Sequence, residues 1–267
     1  MADDDQLIRD LDRADEAFFV DMTNRTPGAT MLRQDGLLLA IGTVPSPTIV
    51  NTILPVEPVI AVDAVDRALV PFREIGHVAG IWTRDHLDAD LEAGMVASGY
   101  RRLIGLPGMV LRDRPAAEPP PDDVEIHAVE TEDDLRRWLD ANLEGFAEDD
   151  SDREAMRSVF ATVHGVTGTT PDGSMAGFYA EAEGTPAGAA MVFVDPVTRV
   201  GIIGWVGTNP AFRRRGIGRA VTLAAVLAGF DLGARVLSLQ SSPMGLPVYT
   251  KMGFATVTGY KIWLPPS

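Results

Sequence analysis

Hydrophobic and polar residues in the second half of the chain follow strand-like and helix-like patterns in turn. The alternation at Val124–Val129 predicts a strand, and two further stretches, Met175–Ala182 and Ala187–Val194, predict a hairpin. The apolar run Val200–Thr208, which ends at Asn209-Pro210, predicts a third strand. The remaining predicted elements are helices from Thr131 onward and at 153–164, 217–230 and 245–252, and strands at 235–240 and 254–264. This order predicts a mixed sheet flanked by helices.

The first half of the chain predicts a similar but shorter series of elements. They are helices at 5–22, 61–75 and 87–98, and strands at 30–32, 36–43, 49–54, 77–83 and 100–111. Its last helix and strand are joined by Ser98-Gly99-Tyr100, and those of the second half by Met252-Gly253-Phe254. The correspondence indicates an internal repeat.

A proline-rich run at 113–121 separates the two halves. Proline lacks an amide donor and fixes its backbone angle, so the run cannot continue a helix or a central strand. We therefore expect a first domain at 1–113, a linker at 114–121 and a second domain at 122–267.

Composition narrows the possible functions. The 267 residues are 46% hydrophobic, carry a formal net charge of −15 and include no cysteine, which excludes disulfide scaffolds and thiolate metal sites. The negative charge argues against nucleic-acid and anionic-membrane partners. It is unevenly spread: residues 1–121 carry −8, residues 122–196 carry −14 and residues 197–267 carry +7. An acidic start and the absence of a long apolar stretch make a soluble, cytoplasmic protein the default expectation.

The four histidines predict no metal site. They stand at His77, His86, His127 and His164, without the paired spacing of metal ligands, and we expect each to be a surface or partly buried side chain.

The segment after the third strand carries the most specific chemical pattern. Gly216 and Gly218 leave no side chain over the first turn of the next helix, whose free amides and partial positive charge suit a phosphate group. Four arginines, at 213, 214, 215 and 219, add positive charge. On these residues alone, a solvated basic turn that caps an ordinary helix is an equally good interpretation.

The pattern Arg213-x-x-Gly216-x-Gly218, between an apolar strand and a helix, resembles the acetyl-CoA pyrophosphate loop of the GNAT superfamily of N-acyltransferases. About 30 residues later, the stretch 246–254 resembles the second signature of that superfamily, an aromatic-bearing helix that ends in Gly-Phe. The order of elements over 122–267 also matches. The resemblance implies an α/β (α+β) fold of two GNAT-like domains, each a mixed, mainly antiparallel twisted sheet flanked by helices.

By the same resemblance, the strand before the loop splays from its neighbour and its backbone holds the pantetheine arm and the thioester carbonyl of acetyl-CoA. The residues concerned are Val206, Gly207 and Thr208, for which plain strand packing is also compatible. The loop residues implied in binding the pyrophosphate are Arg213, Arg214, Arg215, Gly216, Ile217, Gly218 and Arg219. Tyr249 lies where the family places the acid that protonates the departing thiolate, and a core tyrosine is the alternative. Gly253 is expected to cap that helix in the left-handed conformation.

The general base is not identified by the sequence. The carboxylates at Glu144, Glu148, Asp149 and Asp150 lie where this superfamily commonly borders its acceptor site, yet each is better interpreted as a solvated loop residue. Ser241 and Ser242 stand where the family often has asparagine.

The resemblance implies acetyl transfer from acetyl-CoA to a primary amine of a small molecule or peptide, without a metal. The −14 segment suggests a cationic acceptor, and a homo-oligomer is compatible with the sequence. The alternatives are a non-catalytic acyl-CoA sensor and a scaffold that binds no CoA. The first half has Leu54-Pro55-Val56-Glu57-Pro58-Val59-Ile60 where the second has the loop, so we expect it to be a degenerate, structural copy.

Overall fold

The computed structural model describes residues 2–46, 50–146, 157 and 173–266. Apart from residue 157, the predicted helix 153–164 lies outside the described residues. The chain divides into two compact units: the first contains residues 1–109, 240–246 and 256–267, and the second contains residues 110–239 and 247–255.

The helices and strands follow the predicted order with small changes at their ends. In chain order they are α1 Ala2–Arg25, β1 Thr30–Gln34, β2 Leu37–Ile41, β3 Asn51–Pro55, α2 Val62–Ala68, α3 Val70–Glu74, β4 Gly80–Arg84, α4 Ala89–Ala97, β5 Arg101–Leu111, β6 Val124–Ala128, α5 Glu132–Phe146, β7 Met175–Ala182, β8 Thr185–Val194, β9 Val200–Thr208, α6 Ile217–Asp231, β10 Val236–Gln240, α7 Leu246–Lys251 and β11 Ala255–Leu264. The predicted helix 61–75 forms two helices, and Pro71 lies in the first turn of the second one.

In the first unit the strand order is β1-β2-β3-β4-β11-β5. β1, β2 and β3 pair antiparallel in sequence, whereas β3 and β4 pair parallel at Thr52↔Gly80 and Ile53↔Ile81. The core contains fully buried side chains of the sheet and helices, including Leu37, Phe72 and Met95.

The last strand of the chain lies in the first unit. Four residues of β11, from Tyr260 to Trp263, pair antiparallel with β4. The division into compact units therefore differs from the predicted domain limits, which placed all residues after 121 in the second domain.

In the second unit the strand order is β10-β9-β8-β7-β6, with β9 and β10 parallel and the other pairs antiparallel. The mixed, mainly antiparallel sheet flanked by helices is thus confirmed. Thr131 caps α5 as expected: its hydroxyl accepts from Asp134 N at 3.2 Å, and the Asp134 carboxylate accepts from Thr131 N at 2.9 Å. Trp138 on α5 is fully buried and its indole N–H donates to Ala190 O at 3.0 Å.

The two copies of the predicted repeat end their helices in the same way. Gly99 and Gly253 have φ of +83° and +94°, the left-handed conformation that glycine adopts without strain. The next amide then bonds back five residues, from Tyr100 N to Met95 O at 2.9 Å and from Phe254 N to Tyr249 O at 3.0 Å. The predicted cap at Gly253 is confirmed.

No helix among the residues described by the structure is long and apolar enough to cross a membrane.

Candidate functional site

The carboxyl-terminal half of β9 diverges from β10. Parallel pairing between the two strands covers Val200–Ile202 and stops there, whereas antiparallel pairing with β8 on the other side continues to Thr208↔Gly188. N–H and C=O groups of a strand alternate between its two neighbours. The segment from Ile203 to Thr208 therefore presents backbone groups toward the side that β10 has left.

A β-bulge lies within this diverging half. Gly207 is opposite Ala189 and Gly204 is opposite Met191, so the two residues between them on β9 face a single residue of β8. One of the two, Trp205, has a φ of +51°. A bulge turns the backbone groups that follow it, and bulges recur beside active sites.

Gly207 is the point at which α5 approaches β9. A Cβ atom built on Gly145 of α5 would lie 2.8 Å from both Gly207 Cα and Thr208 N. The buried Asn142 amide also lies here, with its nitrogen donating to Trp138 O at 3.0 Å. The glycine at 145 thus allows the backbone of α5 to approach β9 closely, whereas a Cβ atom on Gly207 would make ordinary contacts at 3.4–3.5 Å.

The loop between β9 and α6 presents a run of free backbone amides. Asn209 begins it, since its side chain accepts from Ala211 N at 3.0 Å. The first amide to donate within the helix is that of Ala220, to Gly216 O at 3.0 Å. The six amides from Arg214 to Arg219 donate to no acceptor in the part of the chain that the structure describes. Unpaired amides at a helix N-terminus are suited to binding phosphate groups.

The two loop glycines have different structural roles. Gly216 is the N-terminal cap of α6 with a φ of +82°, a conformation that other residues adopt only with strain. A Cβ atom on Gly218 would lie 2.9 Å from the Thr208 hydroxyl. Gly218 therefore lets the first turn of α6 lie directly against the end of β9.

The four loop arginines are not equivalent. Arg213 donates to Thr208 O at 3.2 Å and Gly145 O at 3.3 Å, which connects the loop to β9 and α5. Arg215 pairs with Asp123 and Glu183, and Arg219 pairs with Glu118. These exposed pairs are worth about 0–1 kcal/mol each and are screened by salt.

Arg214 differs from the other three. It is exposed, adopts a φ of +68° and forms neither an ion pair nor a side-chain hydrogen bond within the described ranges of the chain. Its whole charge is therefore available to an anion at the amides beside it.

Tyr249 lies on α7, nine residues after Gln240, the last residue of β10. Its side chain is 8% exposed, and burial raises the pKa of its hydroxyl to about 12. The Tyr249 hydroxyl has no hydrogen-bond partner among the described side chains and backbone. The ring packs edge-to-face against Phe254 at 6.0 Å. The Tyr249 hydroxyl is therefore protonated at neutral pH, and its proton is donated to none of the described residues.

The acidic residues considered as bases are largely outside the described residues. Glu148, Asp149 and Asp150 lie there, and so does His164. Glu144 is half-buried near the end of α5. Within the described segments, no group of three or more metal-ligating side chains could hold a metal ion.

The other three histidines have ordinary neighbours. The His77 ring lies 3.3 Å from the Asn51 side chain, and His127 stacks on Tyr179 at 5.0 Å between ring centroids. His86 lies between Asp12 and Thr258 in the first unit.

Comparison with solved structures finds the same fold over nearly the whole chain. A GCN5-related N-acetyltransferase from Kribbella flavida aligns with a TM-score of 0.73 and 14% identity, covering 96% of this chain and 95% of that one. Another from Sphaerobacter thermophilus aligns with a TM-score of 0.59 and 15% identity, covering 87% and 82%. A tandem GNAT protein from the clavulanic acid biosynthesis pathway aligns with a TM-score of 0.56 and 15% identity, covering 91% and 85%.

Comparison with curated proteins gives no match. Among protein families, the acetyltransferase (GNAT) family matches residues 132–254, a span that runs from the start of α5 to the end of the α7 cap and includes the loop. Residues 132–254 of this chain are therefore similar to the acetyltransferase domain of the GNAT family.

Proposed function

We propose that the protein is an N-acetyltransferase that moves an acetyl group from acetyl-CoA to a primary amine. The observation that supports it best is the run of six uncommitted amides from Arg214 to Arg219, directly after the strand that diverges from β10. A diphosphate on those amides would place the rest of a CoA molecule along the open side of β9. The catalytic domain proposed from the sequence is 122–267.

In this proposal, the amides and arginines of the loop hold the pyrophosphate. The backbone of Val206, Gly207 and Thr208 pairs with the pantetheine arm as a neighbouring strand would. An N–H group of that segment donates to the thioester carbonyl, and it stabilises the negative charge that develops on this oxygen. The salt bridges of Arg215 and Arg219 are weak enough to rearrange when a ligand arrives.

The reaction is direct transfer. The neutral amine attacks the thioester carbon and forms the C–N bond, the tetrahedral intermediate collapses, and the C–S bond breaks. The Tyr249 hydroxyl gives its proton to the departing thiolate and is reprotonated from water. The proton that the amine loses leaves through water or a base of the protein.

The acceptor is proposed as a small-molecule or peptide amine, and the −14 charge of residues 122–196 favours one that carries positive charge. A cytoplasmic location stays a prediction.

The alternative is a protein that binds acyl-CoA without turnover. It would use the same loop but would need no acid at Tyr249, so the uncommitted hydroxyl favours the enzyme. The test is release of free CoA thiol from acetyl-CoA across a panel of polyamines, amino sugars and peptides with free N-termini. Amine-dependent thiol release supports the proposal. Acetyl-CoA binding without release on any amine supports the sensor, and the absence of binding overturns both.

A further inference from the structure

The segment between β5 and β6 follows α6 from one end of the helix to the other. This segment, residues 114–123, forms no helix or strand and is called the strap below. Near the carboxyl-terminal end of α6, Arg114 pairs with Asp231 at 2.8 Å. At the amino-terminal end, a Cβ atom built on Gly216 would lie 3.4 Å from Pro121 Cγ. The strap therefore runs antiparallel to α6 and ends at the loop between β9 and α6.

The strap is stiff, and its length suits this course. Its three consecutive prolines, at 119–121, favour the extended polyproline II conformation. At about 3.1 Å per residue, the steps from Arg114 to Pro121 span about 22 Å. The 15 residues of α6, at about 1.5 Å each, span the same distance. A stiff segment that is held at both ends has little freedom to move its side chains away from α6.

The strap carries carboxylates that pair with two arginines of the loop. Glu118 accepts from Arg219 Nη2 at 2.7 Å, and Asp123 accepts from Arg215 Nη2. These hydrogen bonds lower the pKa of both carboxyl groups, so both are ionised at neutral pH. Glu183, in the turn between β7 and β8, accepts from Arg215 Nη1 at 2.8 Å. Carboxylates thus occupy donors of both guanidinium groups.

Arg215 is better ordered than the arginine of an isolated surface ion pair. Its guanidinium lies between two carboxylates and also 5.2 Å from the centre of the Phe212 ring, which is buried. Isolated exposed pairs contribute little, in part because two flexible side chains lose conformational freedom when they meet. Here that cost is reduced, because the strap is stiff and the buried ring supports the guanidinium. The pairing therefore persists until another anion replaces the carboxylates.

The occupied donors are those that a phosphate group would use. Carboxylate and phosphate oxygens accept from the same N–H groups of arginine, so one arginine cannot satisfy both fully. The three carboxylates also reduce the charge of the four loop arginines from +4 to +1. An anion at the loop amides must therefore displace the carboxylates before it gains the charge of Arg215 and Arg219.

We propose that the strap is autoinhibitory: Glu118 and Asp123 compete with the phosphate groups of acetyl-CoA for Arg219 and Arg215. The identity of the ligand rests on the proposed function, whereas the competition applies to any diphosphate at the loop. The carboxylates release the arginines when the ligand binds, and the affinity is lower than that of the same loop without them. The strap thereby sets the ligand concentration at which the loop is filled.

The experiment titrates the full-length protein calorimetrically with acetyl-CoA and, separately, with inorganic pyrophosphate. Glu118→Gln and Asp123→Asn keep the size of each side chain and remove its charge. Each should bind both ligands about two- to fivefold more tightly than the wild type, and the double variant at least about fivefold. The matched control is Asp122→Asn, which removes an exposed carboxylate beside Asp123 that has no ion pair among the described residues. It should leave both affinities nearly unchanged.

A double-mutant cycle tests whether the strap acts through the arginine. In an Arg219→Gln background, Glu118→Gln should give no further gain, because the partner of the carboxylate is missing. The melting temperature of each variant checks folding. A gain that persists in this background, affinities at or below the wild-type value in folded Glu118→Gln and Asp123→Asn, or an equal gain in Asp122→Asn would each overturn the proposal.

The two ligands separate this proposal from the proposed function. If pyrophosphate shows the expected gains and acetyl-CoA binds to none of the proteins, the autoinhibitory strap is supported and the assignment of acetyl-CoA is wrong. If neither ligand binds to any of them, both proposals are overturned.

Discussion

Replacement of Tyr249 by phenylalanine separates catalysis from folding because of where the hydroxyl lies. General acids typically contribute 10²- to 10⁴-fold to a rate, which corresponds to about 3–5 kcal/mol of activation free energy. The hydroxyl is not engaged by other described residues, so its removal leaves no buried group without a partner. We therefore expect turnover to fall about 100-fold or more while the free energy of unfolding changes by less than about 1 kcal/mol. Acetyl-CoA affinity should be unchanged.

The assay is steady-state thiol release with an amine that the panel identifies, together with urea unfolding of each variant. Because burial raises the pKa of Tyr249 to about 12, the acid form persists throughout the range in which proteins are assayed. Deprotonation of Tyr249 should therefore cause no loss of wild-type turnover below about pH 11. The pH profiles of the wild type and Tyr249→Phe should have the same shape up to that pH.

The matched control is Tyr179→Phe in the same unit. The Tyr179 hydroxyl donates to Asp134 at 3.0 Å, so this change should lower stability and leave turnover within about twofold. Equal turnover of Tyr249→Phe and the wild type would refute the assignment of the acid.

Two further predictions concern stability. Burial raises the pKa of Asp15 from 3.8 to about 7. Between these two pH values the folded protein keeps the proton on Asp15 and the unfolded chain loses it. The free energy of unfolding therefore falls as the pH rises from about 4 to about 7. The loss amounts to up to about 4 kcal/mol. Asp15→Asn should therefore be more stable than the wild type at pH 8, and the difference in the free energy of unfolding should shrink toward pH 4. A difference that does not depend on pH would contradict this prediction. Gly145→Ala should lower the free energy of unfolding by about 1–3 kcal/mol because the added methyl group meets backbone atoms of Gly207 and Thr208. Gly105→Ala, whose methyl group would meet nothing within 4 Å, is its control in thermal melts, and equal melting temperatures would contradict the packing argument.

Local patterns predicted the elements well where the chain itself determines their ends. The strand Val200–Thr208 has the predicted bounds because an apolar run meets Asn209-Pro210, and the hairpin at 175–194 follows from alternation around Glu183-Gly184. The single helix predicted at 61–75 is two helices, which Pro71 could have indicated.

Features that depend on distant residues could not be predicted in this way. The pairing of β11 with β4 joins residues about 180 positions apart, and the local sequence pattern of neither strand identifies its partner. The contact of Gly145 with Gly207, and the salt bridges that occupy Arg215 and Arg219, also form only when the chain is folded. The four loop arginines therefore looked alike in the sequence, although Arg214 alone has neither an ion pair nor a side-chain hydrogen bond among the residues that the structure describes.

The central claim is that the free amides from Arg214 to Arg219 bind the pyrophosphate of acetyl-CoA. Calorimetric titration tests it most directly, with the wild type, Arg214→Glu and a control, Arg136→Glu, that reverses an exposed charge on α5. We expect one site in the wild type, an unchanged affinity in Arg136→Glu, and at least a tenfold loss in Arg214→Glu, or about 1.4 kcal/mol. A wild type that does not bind acetyl-CoA, or an Arg214→Glu variant that binds it as tightly as the control, would contradict the claim.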